Sequence, residues 1–376
     1  MIRERHPDVA ARIVLALEGG GLATAATEAA VAAGQIIEAA GLQLPSWGSL
    51  ALGARPRRTS EDEERPEPGS FAHGWQFHAA RALDEACREG LLPELSRSDQ
   101  AHLRSQSGPG VAATFTAVPT QKELRISPEE FRVLLLRRLR LALPLAPRSC
   151  RCRLFLDPLG DHRAACSTAG VLVRRAVPME SAAARICREA GARVRTNVCV
   201  RDLNVGVLAP TDGRRIEVIA DGLPLFHGSQ LAVDTTLVSA LRRNGQARPG
   251  ADLRDGVALQ AASRRKRETY PELSGSGARA RLVVLGLEVG GRWSKEASVF
   301  LRLLARARAR SEPPLLRRAA QMAWQRRWMG ILACPASRSF AASLLERSPV
   351  HGADGHRPST MDVLIDARHC GAEGAS

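Results

Sequence analysis

Apolar and polar residues alternate along three stretches of the chain. Arg193–Val200 places Val194, Thr196, Val198 and Val200 on one face; Arg214–Ala220 alternates Ile216 and Val218 with Arg215 and Glu217; Leu231–Val238 alternates again around Asp234 and Thr236. Period-two alternation marks a half-buried strand. Arg281–Val289 reads as a fourth strand, and Asp221-Gly222 supplies a turn that lets the second and third strands pair as a hairpin. Helical periodicity is read at Met179–Ala190, closed by Gly191, at Gly256 to Tyr270 behind an Asp255 cap, and at Ser294–Arg310. The predicted order is αβββαβα, a mixed α/β core over residues 175–312.

Further patterns flank this core. Pro7–Leu17 and Thr24–Ala40 are Ala-rich and read as a helical N-terminal segment within 1–54, whereas 55–70 is charged, Pro-rich and without apolar periodicity, as in a flexible linker. A helical connector is expected over 71–147. It comprises His73–Gly90, with Trp75, Phe77, Ala80, Leu83 and Cys87 as a buried stripe, then Pro93–Ser105, then a helix opened by Ser127-Pro128-Glu129-Glu130 and running on to Leu143. Arg137, Arg138 and Arg140 of that helix are expected to face solvent or phosphate. Beyond the core, Pro313–Leu332 and Ser337–Leu345 read as two helices divided by Pro335 within 313–346, with Met322, Trp324, Trp328 and Ile331 as anchors. Arg317, Arg318, Arg326 and Arg327 would form their basic surface. Residues 347–376, rich in Gly and Asp, are expected to be disordered.

Composition adds a partner class. A formal charge of +15 over 376 residues and a pI near 10.8 point to an anionic partner, nucleic acid being the commonest, although a GC-rich genome also inflates Arg and Ala. Five Trp, eight Phe and one Tyr are too few to favour single-strand binding by stacked bases, so duplex backbone contact by arginine is the better expectation. Eight cysteines without a signal-peptide pattern imply a reducing compartment. No apolar run approaches the roughly 18 residues a membrane span needs, so no membrane partner is expected.

Two constellations carry candidate chemistry. Because side chains alternate along strands, Asp234 and Thr236 share a face, and pairing brings Glu217 beside them. Arg215 is the one basic side chain of either strand that would pair there. On the following helix Lys266 and Tyr270 are four apart and face the same way, and Lys266 is one of three lysines, with Lys122 and Lys295, among 54 basic residues. Such a group also fits a solvated sheet edge beside a solvated charge run. The second constellation is Cys150-x-Cys152, nine residues, His162, three residues, Cys166, a four-ligand N/S set of the kind that holds Zn²⁺, with a first gap tighter than usual. Asp161 beside His162 reads as a turn residue rather than a ligand.

The element order, with an acid on the second strand, an acid on the third and a lysine nearby, resembles the PD-(D/E)XK, or restriction-endonuclease-like, nuclease core. More specifically, Trp47 to Leu345 is similar to the C-terminal part of polyproteins of site-specific non-LTR retrotransposons, in which such a nuclease follows the reverse transcriptase. The matching segments are LRSQSGPG, the CRC…LGDHRAAC run, RRIEV, AVDTTLVS, RRKRETYPEL and LEVGGRW. The resemblance implies that Asp234 is the central metal-binding acid, that Glu217 stands where the family has the aspartate of its first motif, and that Lys266 and Tyr270 match a lysine moved from the third strand to the next helix. Thr236 occupies the usual lysine position, and no Pro-Asp dipeptide precedes Val218. The resemblance also implies a Cys-Cys-His-Cys zinc knuckle directly before the nuclease, over 148–168.

The function implied by this resemblance is that of a divalent-metal-dependent DNA endonuclease, with Mg²⁺ or Mn²⁺ held by Glu217, Asp234 and the Thr235 carbonyl. Its nick would create a primer for reverse transcription. The polymerase motif itself is absent, the one tyrosine being Tyr270, so a separate reverse-transcriptase polypeptide and element RNA are further candidate partners. DNA as substrate implies nuclear residence, and otherwise the cytoplasm. The alternative is a retroelement remnant that binds nucleic acid through its basic surface without cutting it.

Overall fold

The structure, a computed structural model, describes residues 87–345 apart from 146–148, 151, 169–170, 204, 206–208, 210 and 276–279, together with 359–361 and 363–364. The segments 1–54 and 55–70, and Trp75, Phe77, Ala80 and Leu83, lie outside the described residues. In chain order the helices are α1 (Arg97–Ser105), α2 (Ala113–Thr116), α3 (Pro128–Arg138), α4 (Asp161–Ala165), α5 (Val171–Glu189), α6 (Val257–Thr269), α7 (Lys295–Ala309) and α8 (Arg317–Leu345).

β1 (Arg193–Cys199), β2 (Arg215–Asp221), β3 (Gln230–Val238) and β4 (Ala280–Glu288) form one mixed sheet in chain order. β1–β2 and β2–β3 are antiparallel, the latter joined through the expected Asp221-Gly222 turn, where Gly222 takes a left-handed φ of 84°. β3 and β4 run parallel, which requires a crossover, and α6 provides it. The order α5-β1-β2-β3-α6-β4-α7 is thus the αβββαβα read from the sequence, and the fold class is mixed α/β.

Strand periodicity divides the sheet between two cores. Val218, Ala220, Leu231, Val233, Val283, Leu285 and Leu287 pack with Ile186 of α5, Phe300 and Leu304 of α7, and Trp324 and Trp328 of α8. The opposite side chains, Ile219, Ala232, Leu282 and Val284, pack with Tyr270 and Leu273 just beyond α6. Asp234, two residues after Ala232, emerges on this second side. Arg97–Cys370 forms one compact unit, so the knuckle, the sheet and the C-terminal helices share one body.

Several expectations are corrected. Pro93–Ser105 is not one helix: a short 3-10 turn at Leu92–Glu94 precedes α1. α5 begins at Val171 rather than Met179 and passes through Pro178, and α8 runs unbroken through Pro335. An interior proline costs roughly 3 kcal/mol. Against that, α8 buries Trp324, Trp328, Ile331, Leu332, Phe340 and Leu344, each contributing about 1.5–3 kcal/mol, so burial on both sides of Pro335 holds the helix continuous. Met322, expected as an anchor, is 41% exposed, whereas Arg327, expected on the surface, is buried and paired with Glu189 at 2.9 Å.

The capping box at Ser127 and Glu130 is present, but α3 ends at Arg138 and Arg140 turns into left-handed φ of 58°. Its arginines do not form a solvated face. Arg137 and Arg140 both pair with buried Asp161, at 2.9 and 2.8 Å, and the Arg138 guanidinium lies over the Phe115 ring. Asp255 does not cap α6; it pairs with Arg104 and Arg292, and Gly256 takes the cap position. In the tail expected to be disordered, Val363 is buried in the main core and Thr360 donates to Glu312. Among the described residues no helix is long and apolar enough to cross a membrane.

Candidate functional site

The Cys/His constellation is assembled by a tight turn and a short helix. Cys150 N–H donates to Leu154 carbonyl and Arg153 N–H to Cys150 carbonyl, folding Cys150 and Cys152 into one turn, with Arg153 at left-handed φ of 68°. Asp157 then accepts from the amides of Leu159, Asp161 and His162, holding the N-terminus of α4. His162 lies in the first turn of α4 and Cys166 caps its end, four residues on and therefore on the same face. Asp157 carries no metal-ligand signal in the sequence, yet it orients the helix that presents half the donor set.

The four donor atoms lie within 4.8 Å of one another. Cys150 Sγ is 3.8 Å from Cys166 Sγ, and Cys152 Sγ is 3.2 Å from His162 Nε2. A tetrahedron with Zn–S bonds near 2.3 Å has S···S edges of about 3.8 Å, so the group can hold a metal such as zinc. The surrounding charge fits as well. Arg175 is buried, donates only to the Ala164 and Arg163 carbonyls, and has no carboxylate partner among the described residues. Burial, then Arg163 and Arg137, pushes its guanidinium down to about 10, and the charge of Cys166 opposes this. Three thiolates on Zn²⁺ leave one net negative charge, the counter-ion that Arg175 otherwise lacks. Cys187 and Cys334 are a different kind of thiol: burial in the main core pushes each up to about 12.

The second constellation gathers on the α6 side of the sheet. The β2–β3 ladder is paired as far as Val218–Val233, after which the Glu217 side chain, rather than β2 backbone, accepts from Thr235 N–H at 2.6 Å. Glu217 and Asp234 therefore stand beside each other, as alternation required. Lys266 of α6 donates to Asp234 Oδ1 at 2.8 Å, while Asp234 Oδ2 is buried without a hydrogen-bond partner. Burial, then the adjacent Asp234 carboxyl, holds the Glu217 carboxyl well above the ordinary carboxylate range. Two carboxyls thus stand side by side, one of them raised by burial and by the other's charge.

Tyr270 is close but does not contact Lys266 through its side chain. Its hydroxyl donates to the Arg215 carbonyl at 2.7 Å, and its amide to the Lys266 carbonyl at 3.0 Å. Burial, then Asp234 and Glu217, pushes the phenol up to about 12, so it stays protonated. Arg215, the one basic side chain of either strand that could pair with the carboxyls, instead donates to Asn197 on β1. A residue that the pattern did not single out joins from α5: Glu180, whose carboxyl is raised by burial and then by Asp234, against the pull of Lys266. Helical spacing gave no reason to aim Glu180 at β3, since only the packing of α5 across the sheet brings it there.

The expected residues thus meet as two groups, Cys150, Cys152, His162 and Cys166 in one, Glu217, Asp234, Lys266 and Tyr270 in the other. No protein-family model matches the chain, and no curated protein matches it.

Proposed function

We propose that the chain is a divalent-metal-dependent endonuclease with a restriction-endonuclease-like core, derived from a site-specific non-LTR retrotransposon, which nicks DNA. The observation that carries this reading is the adjacency of Glu217 and Asp234 on neighbouring strands, with Lys266 on one carboxylate oxygen and the other oxygen unpartnered. Glu217 and Asp234 hold the cation, with the Thr235 carbonyl as a third donor. A divalent cation such as Mg²⁺ or Mn²⁺, if held there, would supply Lewis-acid chemistry for the attacking water and the phosphate. Asp234 and Glu217 fix the position of the attacked phosphodiester. The Lys266 ammonium stabilises the extra negative charge as a water oxygen bonds to phosphorus, its proton passing to solvent, and the bond from phosphorus to the 3′ oxygen breaks. That oxygen takes a proton from solvent, which leaves a 3′ hydroxyl and a 5′ phosphate. Tyr270, tied to the Arg215 and Lys266 carbonyls, positions the end of α6 and with it Lys266.

DNA is the partner this reading requires, with a separate reverse-transcriptase polypeptide extending the 3′ hydroxyl and a nuclear location following from the substrate. The +15 charge supports an anionic partner.

The test is nicking of supercoiled plasmid by purified protein in Mg²⁺ or Mn²⁺, beside Asp234→Ala and Lys266→Ala. Nicking by the wild type alone supports the nuclease. Binding without nicking by all three favours the second reading, a nucleic-acid-binding remnant. The observation on its side is the Lys266–Asp234 ion pair, which already neutralises the carboxylate that the cation needs.

A further inference from the structure

Just beyond β3, the strand that carries Asp234, the chain makes a second hairpin between Ser239 and Gly250. Leu241 bridges Ala247, Arg242 N–H donates to Gln246 carbonyl at 2.7 Å, and Arg248 N–H donates to Ala240 carbonyl at 2.9 Å. Its base is anchored: Ala240, Leu241 and Ala251 are buried against Ala101 of α1. Its outer surface is cationic. Arg242 and Arg243 are exposed, and half-buried Arg248 is held by its own Nε to Ser239 carbonyl at 2.8 Å. Arg265 is exposed on α6 next to Lys266, near enough for its charge to act on Arg248. No carboxylate pairs with Arg242, Arg243, Arg248 or Arg265 among the described residues.

The hairpin is also tied to the knuckle. His162 turns Nε2 toward Cys152 and places Nδ1 3.0 Å from the Arg243 carbonyl. A metal on Nε2 fixes the ring proton on Nδ1, which makes the Nδ1–H···O=C bond permanent; this is how a metal-bound imidazole is usually oriented.

We propose that this hairpin and Arg265 grip the phosphodiester backbone of nucleic acid, and that the Cys150/Cys152/His162/Cys166 metal centre holds the grip in shape through the His162–Arg243 hydrogen bond. The proposal rests on the nuclease reading only in taking nucleic acid as the anion. Guanidinium groups gathered without carboxylates repel one another; burial, then Arg265 and Arg242, lowers the basicity of Arg248. Phosphate oxygens relieve that repulsion, and arginine engages them through paired N–H donors. Placement directly after β3 leads a gripped strand toward Asp234.

The experiment reads binding and not cleavage, so failure of the nuclease reading leaves it intact. Anisotropy of a labelled duplex DNA is followed against salt, with zinc-loaded protein and no added Mg²⁺ or Mn²⁺. The comparison is between wild type, R242Q/R248Q/R265Q, and R302Q/R306Q/R310Q, three exposed arginines along α7 and at its C-terminal cap, which removes the same charge. Removing one arginine–phosphate pair lowers the log–log salt slope by about one, so the slope should fall by about three in the hairpin variant and by less than one in the α7 variant. Equal falls, or none for the hairpin variant, overturn the grip. Zinc is then stripped from wild type and hairpin variant. Weakening of the wild type toward the variant, with little change in the variant, supports the coupling; equal fold-changes in both overturn it. His162→Gln supplies the same comparison should stripping unfold the chain, with folding checked by circular dichroism.

Discussion

Lys266 Nζ lies 2.8 Å from Asp234 Oδ1, with Asp234 1% and Lys266 30% exposed. The lysine arrives on the crossover helix rather than on β3 itself, so the ion pair exists only once β3, α6 and β4 have docked.

That dependence gives a stability prediction. Lys266→Met leaves the buried Asp234 carboxyl without its cation, a loss of about 2 kcal/mol after allowing for the partial exposure of the lysine. Denaturant melts without Mg²⁺ should show this loss. Added Mg²⁺ should restore part of it, because ligand binding to the folded state adds stability by mass action. A Lys266→Met protein as stable as wild type would show that the pair contributes nothing.

At the knuckle, metal analysis of purified protein should find one zinc per chain, falling to none in Cys166→Ser. At a thousandfold excess over Kd the bound metal contributes about 4 kcal/mol, on the order of a 10 °C shift in Tm for a unit of this size. Melting curves with and without chelator measure it; coincident curves would show that the metal adds nothing to folding.

Glu189 sits under α8 with three partners: Arg327 at 2.9 and 3.1 Å, Arg185 at 3.0 Å and Trp328 Nε1 at 2.9 Å. Burial, the largest single influence, raises its carboxyl, but the Arg327 hydrogen bonds and charge, the Trp328 hydrogen bond and the charge of Arg185 together outweigh it and hold the carboxyl below the ordinary range. Glu189→Ala strands Arg327 in the core and should cost about 3–5 kcal/mol. Adding Arg327→Met to Glu189→Ala should recover most of that in urea melts.

Glu288, at the end of β4, is 2% exposed, and burial pushes its carboxyl from 4.5 up to about 7, with Arg292 opposing and Asp255 adding. The folded state therefore holds a proton that the unfolded chain releases. Its contribution to stability is fully present below about pH 4.5 and is lost as pH rises through about 7. Glu288→Gln should flatten the dependence of stability on pH across that window; an unchanged slope would place the titration elsewhere.

Two glycines show why a motif can be read without its reason. In LEVGGRW, a Cβ on Gly290 would come within 2.6 Å of the Ser105 carbonyl oxygen, and Gly291 takes φ of 101°. The turn lets α1 and the stretch before α2 press against the end of β4. Trp293 then donates to Gly110, and Arg292 to Arg104 and Ser107, joining LRSQSGPG to LEVGGRW.

Period-two alternation marked three of the four strands, and with them that Glu217 and Asp234 would share a side, because a strand offers each residue only two directions. It failed at β1, where Val194 and Val198, read onto one face, fall in different cores on either side of Asn197, whose φ is 54°. Spacing likewise picked out Cys150, Cys152, His162 and Cys166 as one donor set, though not the helix turn that puts His162 and Cys166 on one face. What tertiary structure alone decided was partnership. Lys266 meets Asp234, Glu180 approaches from α5, Arg137 and Arg140 turn inward to Asp161, and Arg243 offers its carbonyl to His162, all through contacts between residues far apart in the chain. Local pattern holds no such information. The proline inside α8 makes the same point in reverse: a local rule ends a helix at Pro335, and burial contributed by distant residues overrides it.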